Sequence, residues 1–192
     1  MRRDGYDHGV KLILMYGPPA VGKLTTATEL SRRAGYRLFH NHLTVPVVEA
    51  IFPEESPQRN RLLKTIRLNA IEAAAEAGQN LIFTTGYSGT HDDQFIHDIV
   101  QAVTRHHGML HFVQLTAPRS VLMERVKNPS RQEHAKMVTP AQLELWLDTP
   151  HRDAFASMPI KDVLLIDTST GKPSDTATTI MDQFEIKERQ EL

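Results

Sequence analysis

Five short apolar runs punctuate the chain, and stretches with helical spacing separate them. Residues 10–16, VKLILMY, form a short hydrophobic run, broken only by Lys11, that stops at a Gly-Pro-Pro turn, as expected of a strand covered on both faces. Residues 22–34 predict a helix with Leu30 and several alanines on one side, ended by Gly35. YRLFHNH, 36–42, predicts the second strand. A short helix over 44–52 is broken by Pro53 and Pro57. From 58 to 77 the spacing predicts a long helix with a stripe of Leu62, Ile66, Ala70, Ala73 and Ala77, stopped by Gly78. NLIFTT (80–85), MLHFVQL (109–115) and DVLLIDT (162–168) supply three more strands, with helices expected over 91–107 and 173–186.

Strands separated by helices call for a parallel sheet with right-handed crossovers and helices on both faces, a three-layer α/β fold. A chain of 192 residues suits one such domain, over 1–192, burying roughly 70% of the unfolded surface. The basic, Pro-interrupted stretch RVKNPSRQEHAKM, 125–137, lies between two helical patterns and reads as a mobile segment.

Charge changes this picture little. Twenty-two Lys and Arg stand against 23 Asp and Glu, so no global field attracts nucleic acid or an anionic membrane. The absence of cysteine removes disulfides and thiolate metal sites and agrees with a reducing cytoplasm. No run is long and apolar enough for a signal peptide or a membrane span, so the expectation is a soluble cytoplasmic protein.

The candidate chemistry begins at the first strand's end, in GPPAVGKLT, residues 17–25. Gly17, Gly22 and Lys23 match the phosphate-binding pattern of two glycines five apart followed by lysine, while Leu24 stands where a magnesium-binding Ser or Thr is usual. Such a loop works through backbone N–H groups and the positive end of the following helix. Both flanks, strand before and helix after, are predicted. The loop residues Pro18, Pro19, Ala20 and Val21 belong to the expected nucleotide site, and Thr25 is within reach of an α-phosphate but about 100° round the helix from the missing metal ligand.

This loop resembles that of the adenylate-kinase-like nucleoside and small-molecule kinases, a P-loop superfamily that includes shikimate kinase and gluconate kinase. The resemblance extends over nearly the whole chain in element order. It implies five parallel strands in spatial order 2-3-1-4-5, an acceptor-binding insert matching 42–78, and a lid matching 125–137. It also implies ATP and Mg2+, with the metal held largely through water, and a small-molecule phosphate acceptor. Arg125 resembles the arginine at a lid's entry and Arg131 the one that swings onto the transferred group, with Lys136 assisting, so Lys23, Arg125 and Arg131 are the implied catalytic cations. The stretch from Asp167 through Pro173 resembles the adenine-cradling loop. Arg119 reads as a surface residue at a helix start.

The acceptor side departs from these relatives. Shikimate and gluconate kinases carry an aspartate at the end of strand two, whereas this chain has FHNH, with Asn41 and His42 as candidates to meet the acceptor. On a continuing strand His40 and His42 share one face and Asn41 the other. A neutral histidine can deprotonate a hydroxyl, and the pair equally suits a structural role. After strand three, Gly86 and Gly89 permit close approach of an acceptor, Thr84 or Thr85 can orient a magnesium-bound water, and Asp92 or Asp93 can supply a carboxylate to the metal or the acceptor, although capping a helix is the commoner job for aspartate there. Arg67 sits where such kinases often keep an arginine for an acidic acceptor, but the surrounding letters do not reproduce the shikimate kinase motif, so an outward-facing arginine is expected. Three readings follow: a small-molecule kinase, an antibiotic-modifying phosphotransferase of the same fold, and a nucleotide-binding regulator with little catalysis.

Overall fold

The computed structural model describes residues 10–129, 131, 137–149, 153 and 155–190. Its centre is a five-stranded parallel sheet, β1 (Lys11–Tyr16), β2 (Arg37–His40), β3 (Leu81–Thr84), β4 (Met109–Thr116) and β5 (Val163–Asp167), in the order β2-β3-β1-β4-β5. The helices are α1 (Lys23–Ala34), α2 (Val45–Glu49), α3 (Pro57–Glu76), α4 (Asp93–Arg105), α5 (Arg119–Arg125), α6 (Pro140–Leu147) and α7 (Pro173–Gln183).

The central strand β1 explains the three layers. Alternate side chains enter opposite cores: Ile13 and Met15 join Leu30 of α1 and Ile180 of α7, while Leu12, Leu14 and Tyr16 join Ile71 of α3 and Ile99 of α4. Covered on both faces from Leu12 to Tyr16, the strand is apolar over that stretch, and only Lys11 at its half-buried start is charged. β5 is an edge strand, and Leu165 is 62% exposed.

Three local expectations are corrected. The second strand ends at His40, and Asn41–Leu43 form a 3-10 turn, so Asn41 and His42 do not alternate across a pleat. The buried stripe of α3 is Arg59, Leu63, Ile71 and Ala75, not the one through Ile66 and Ala70, and a strict four-residue step along it includes Arg67. The helix expected from 91 begins at Asp93, after a 3-10 turn at Thr90–Asp92. The expected lid at 125–137 is described at 125–129, 131 and 137, and Lys136 lies outside the described residues.

Candidate nucleotide and acceptor site

A cavity of about 550 Å³ opens at the C-terminal ends of the strands, beside β1, where the direction of chain progression reverses. That is where α/β sheets place ligands. Its floor is the loop between β1 and α1.

The loop's conformation follows from its sequence. Gly17 has φ 142°, and a Cβ there would collide with the carbonyl oxygen of Leu115 on β4, so no other residue fits. Ala20 (φ 65°) and Gly22 (φ 103°) are left-handed, the alternation that makes a nest of N–H groups, and Ala20 adopts it without glycine's freedom. α1 starts at Lys23 with no side-chain cap at its N-terminus, so the amides of its first turn are not taken up by a capping oxygen. Lys23 Nζ donates to the carbonyls of Gly17 at 2.7 Å and Pro18 at 2.8 Å. Pro19, Ala20, Val21, Leu24 and Thr25 line the cavity, and Leu24 is half-buried.

One threonine ties the nucleotide end together. Thr168, just past β5, donates through Oγ1 to Val21 O (2.8 Å) and Thr116 O (3.1 Å), and accepts from Arg125 Nη1 at 3.2 Å. Arg125 Nη2 also donates to Thr168 O at 2.5 Å. The guanidinium thus fastens α5 to the loop after β5, from which Gly171, Lys172 and Pro173 reach the cavity. Asp167 does not line it; its carboxylate accepts from Ser169 N at 2.7 Å, which with the nearby Arg125 charge holds its pKa below the usual carboxylate range. Arg131 lines the cavity, donates from Nε to Met137 O at 2.8 Å, and has its pKa lowered by burial.

The other end is built by β2 and β3. The 3-10 turn brings both Asn41 and His42 to the lining, and Thr84 and Gly86 join them from the end of β3. Arg67 is turned inward, correcting the outward expectation. Its Nε donates to Thr44 Oγ1 and its Nη2 to Asn41 O, each at 3.0 Å, so it supports the turn from behind and does not line the cavity. Burial, aided by the Arg59 charge and opposed by Asp92, pushes its pKa down to about 10. Asp92 also lies off the cavity, accepting from Lys64 Nζ and Ser88 N at 3.1 Å each, while Asp93 accepts from Tyr87 OH at 2.6 Å. Thr85 hydrogen-bonds through Oγ1 to Gly86 O at 3.1 Å. Arg119 is the surface residue expected, in a two-bonded pair with Asp148.

Among the described residues, no group of three His, Asp or Glu is placed to hold a metal, and no carboxylate lines the cavity. A magnesium ion held by the protein does not fit that donor set. Trp146 of α6, Asn128, Met137 and Thr176 also line the cavity, and no motif in the sequence marks them. Among the described residues, no helix is long and apolar enough to cross a membrane.

The strand order, the glycine-bounded loop and the helix that follows define a P-loop kinase fold. Residues 12–151 match the model of a family described as an AAA domain, and the chain belongs to that family. Solved structures with the same fold include a sugar kinase from Janibacter (TM-score 0.68, 14% identity, 92% of this chain and 95% of that one). The tunicamycin resistance protein of Deinococcus radiodurans is similar at TM-score 0.63 and 22% identity, over 95% and 99% of the two chains. Shikimate kinase from Acinetobacter baumannii, solved with shikimate, is similar at TM-score 0.55 and 18% identity, over 93% and 94%. No curated protein sequence matches the chain.

Proposed function

We propose that the protein is an ATP-dependent phosphotransferase acting on a small molecule. The observation that carries this reading is one cavity with a phosphate-binding loop and Lys23 at its floor and side chains from the ends of β2 and β3 at its other end. Phosphoryl transfer asks a protein to align two substrates and neutralise developing charge. The loop amides and Lys23 take the β- and γ-phosphates, the loop from 168 to 173 takes the base, and Arg125 and Arg131 serve the transferring oxygens. Asn41, His42 and Gly86 meet the acceptor, with Arg67 fixing the first two. The magnesium that such chemistry uses travels with the triphosphate, since the described residues of the lining offer it no carboxylate.

The similarity to the tunicamycin resistance protein favours a second reading within the same chemistry, in which the acceptor is an antibiotic. The test of both is Lys23→Ala, measured by ATP affinity and by ADP release with a metabolite and antibiotic library. A fall in turnover of about 10²–10³-fold is expected of a charged group acting on the transition state. Unchanged binding and turnover would reject the mechanism.

A further inference from the structure

Resting on the kinase reading, we infer that Tyr16 is a positioning residue: it carries the seating of a nucleoside triphosphate at the phosphate loop over to the loop after β3, which borders the acceptor end of the cavity.

Tyr16 is the last residue of β1 and is joined directly to Gly17, where the phosphate loop begins. Its side chain is fully buried and packs with Ile71 of α3 and Ile99 of α4, on the face of the sheet away from α1. A buried hydroxyl needs partners, and two elements supply them. Tyr16 OH donates to Gln114 Oε1 of β4 at 3.1 Å and accepts from Met158 N at 3.2 Å.

Gln114, 3% exposed, is the residue beside Tyr16 in the sheet. Its amide is fully used: Oε1 also accepts from Ser157 Oγ at 3.0 Å, and Nε2 donates to the carbonyls of Phe155 and Ala156 at 3.2 Å each. A buried polar network satisfied in this way fixes one arrangement of the groups it joins. The segment it holds is the return from α6, which passes from the core containing Leu143 to the core containing Met158. On the way, Asp153 N donates to Ser88 O, in the loop after β3, at 3.4 Å.

A second contact reaches that same loop. The rings of Tyr16 and Tyr87 meet edge to face, with centroids 5.9 Å apart at 76°, and Tyr87 follows Gly86, which lines the cavity. The bonds from Gln114 and Met158 N hold the hydroxyl end of Tyr16 and so set the ring that Tyr87 packs on. Tyr16 is thus tied to the nucleotide loop through the chain and to the acceptor-side loop through its side chain. Tyr16, Gln114, Tyr87, Ser88 and residues 155–160 all lie off the cavity lining, so a nucleotide reaches them only through the protein. Phosphoryl transfer gains from such a link, because a reacting pair misplaced by about 1 Å loses roughly 10²-fold in rate.

The test follows amide hydrogen exchange of the full-length protein with and without magnesium and a non-hydrolysable ATP analogue. The analogue should slow exchange at 17–25 and also, by about threefold or more, at 87–88 and 156–160. Tyr16→Phe deletes only the hydroxyl. It should keep the slowing at 17–25, and the analogue's affinity within about twofold, while the slowing at both distant stretches is lost. A purely structural hydroxyl would instead raise exchange equally with and without the analogue and leave their ratio unchanged. Ser157→Ala, a milder change at the same junction, should roughly halve the slowing at 156–160, and it decides the matter if Tyr16→Phe does not fold. Three results overturn the inference: distant stretches of the unmodified protein that ignore the analogue, folded variants that keep the full response, or a loss of affinity in Tyr16→Phe beyond that limit. Those results leave the kinase reading standing, whereas absence of any slowing at 17–25 defeats both.

Discussion

The guanidinium of Arg67 and the backbone carbonyl of Asn41 are hydrogen-bonded at 3.0 Å, so a residue on α3 sets the position of a turn that belongs to the end of β2. Thr44 joins them, its hydroxyl donating to Asn41 O at 2.9 Å while accepting from Arg67 Nε.

Arg67→Gln removes both of these charge-assisted bonds. Such bonds contribute about 1.5–3 kcal/mol each, so the turn at 41–44 should open more readily. Hydrogen exchange should speed up at the amides of 41–44, with the amides of α1 unchanged and ATP affinity within twofold. Unaltered exchange at the turn would mean that α3 does not hold it.

Gly17→Ala introduces a Cβ that meets the Leu115 carbonyl at a left-handed φ of 142°. Strain of this kind costs about 1–3 kcal/mol or more, and it falls on the loop itself. The expected result is a lower unfolding midpoint with ATP binding lost in calorimetry. Gly22→Ala, where nothing stands within 4 Å of the added carbon but φ is 103°, should affect binding with a smaller loss of stability.

Thr168→Val deletes the hydroxyl that joins Val21, Thr116 and Arg125. The loss of a buried bond and the stranding of its partners should cost about 1–3 kcal/mol, or several degrees in the unfolding midpoint. ATP affinity should fall as well, because Val21 belongs to the phosphate loop and Arg125 borders the same cavity. A stability loss with unchanged affinity would separate the hub from the site.

His111 on β4 predicts a pH dependence of stability unrelated to activity. Its ring stacks on Phe184 with centroids 4.2 Å apart, its Nε2 is buried without a hydrogen bond, and burial followed by the Lys11 charge lowers its pKa from 6.5. The folded pKa is therefore below the unfolded one. Well above 6.5 the ring is neutral in both states and contributes no pH dependence. As pH falls through 6.5 the unfolded chain takes up a proton that the folded chain resists, and stability declines until the lower folded pKa is passed. Urea unfolding should show this slope, at most about 1.4 kcal/mol per pH unit, between pH 7.5 and 5.5, and His111→Phe should flatten it. An identical slope in the variant would place the titration elsewhere.

The strands and the phosphate loop were legible because burial on both faces enforces continuous apolar runs, and because glycines at 17 and 22 answer to backbone geometry that few residues satisfy. The phase of α3 was not. Its apolar residues and alanines support more than one stripe, and the true one runs through two arginines, Arg59 and Arg67, which an apolar template rejects. The turn at Asn41–Leu43 was hidden for another reason: the strand letters of FHNH continue past the point where pairing with β3 stops, at His40 with Thr84. Trp146 reaches the cavity from an eight-residue helix whose placement depends on tertiary packing, through Leu143 in the core, rather than on any motif.

The contact of Lys23 with two carbonyls of its own loop has a thermodynamic corollary. The ammonium group is not waiting in water; it is satisfied by Gly17 and Pro18, and an incoming molecule must outbid two dipoles to recruit it. A polyphosphate, carrying full negative charge, can do so, and an uncharged compound cannot. The resting arrangement thus favours an anion as the group that draws Lys23 off the carbonyls of its own loop.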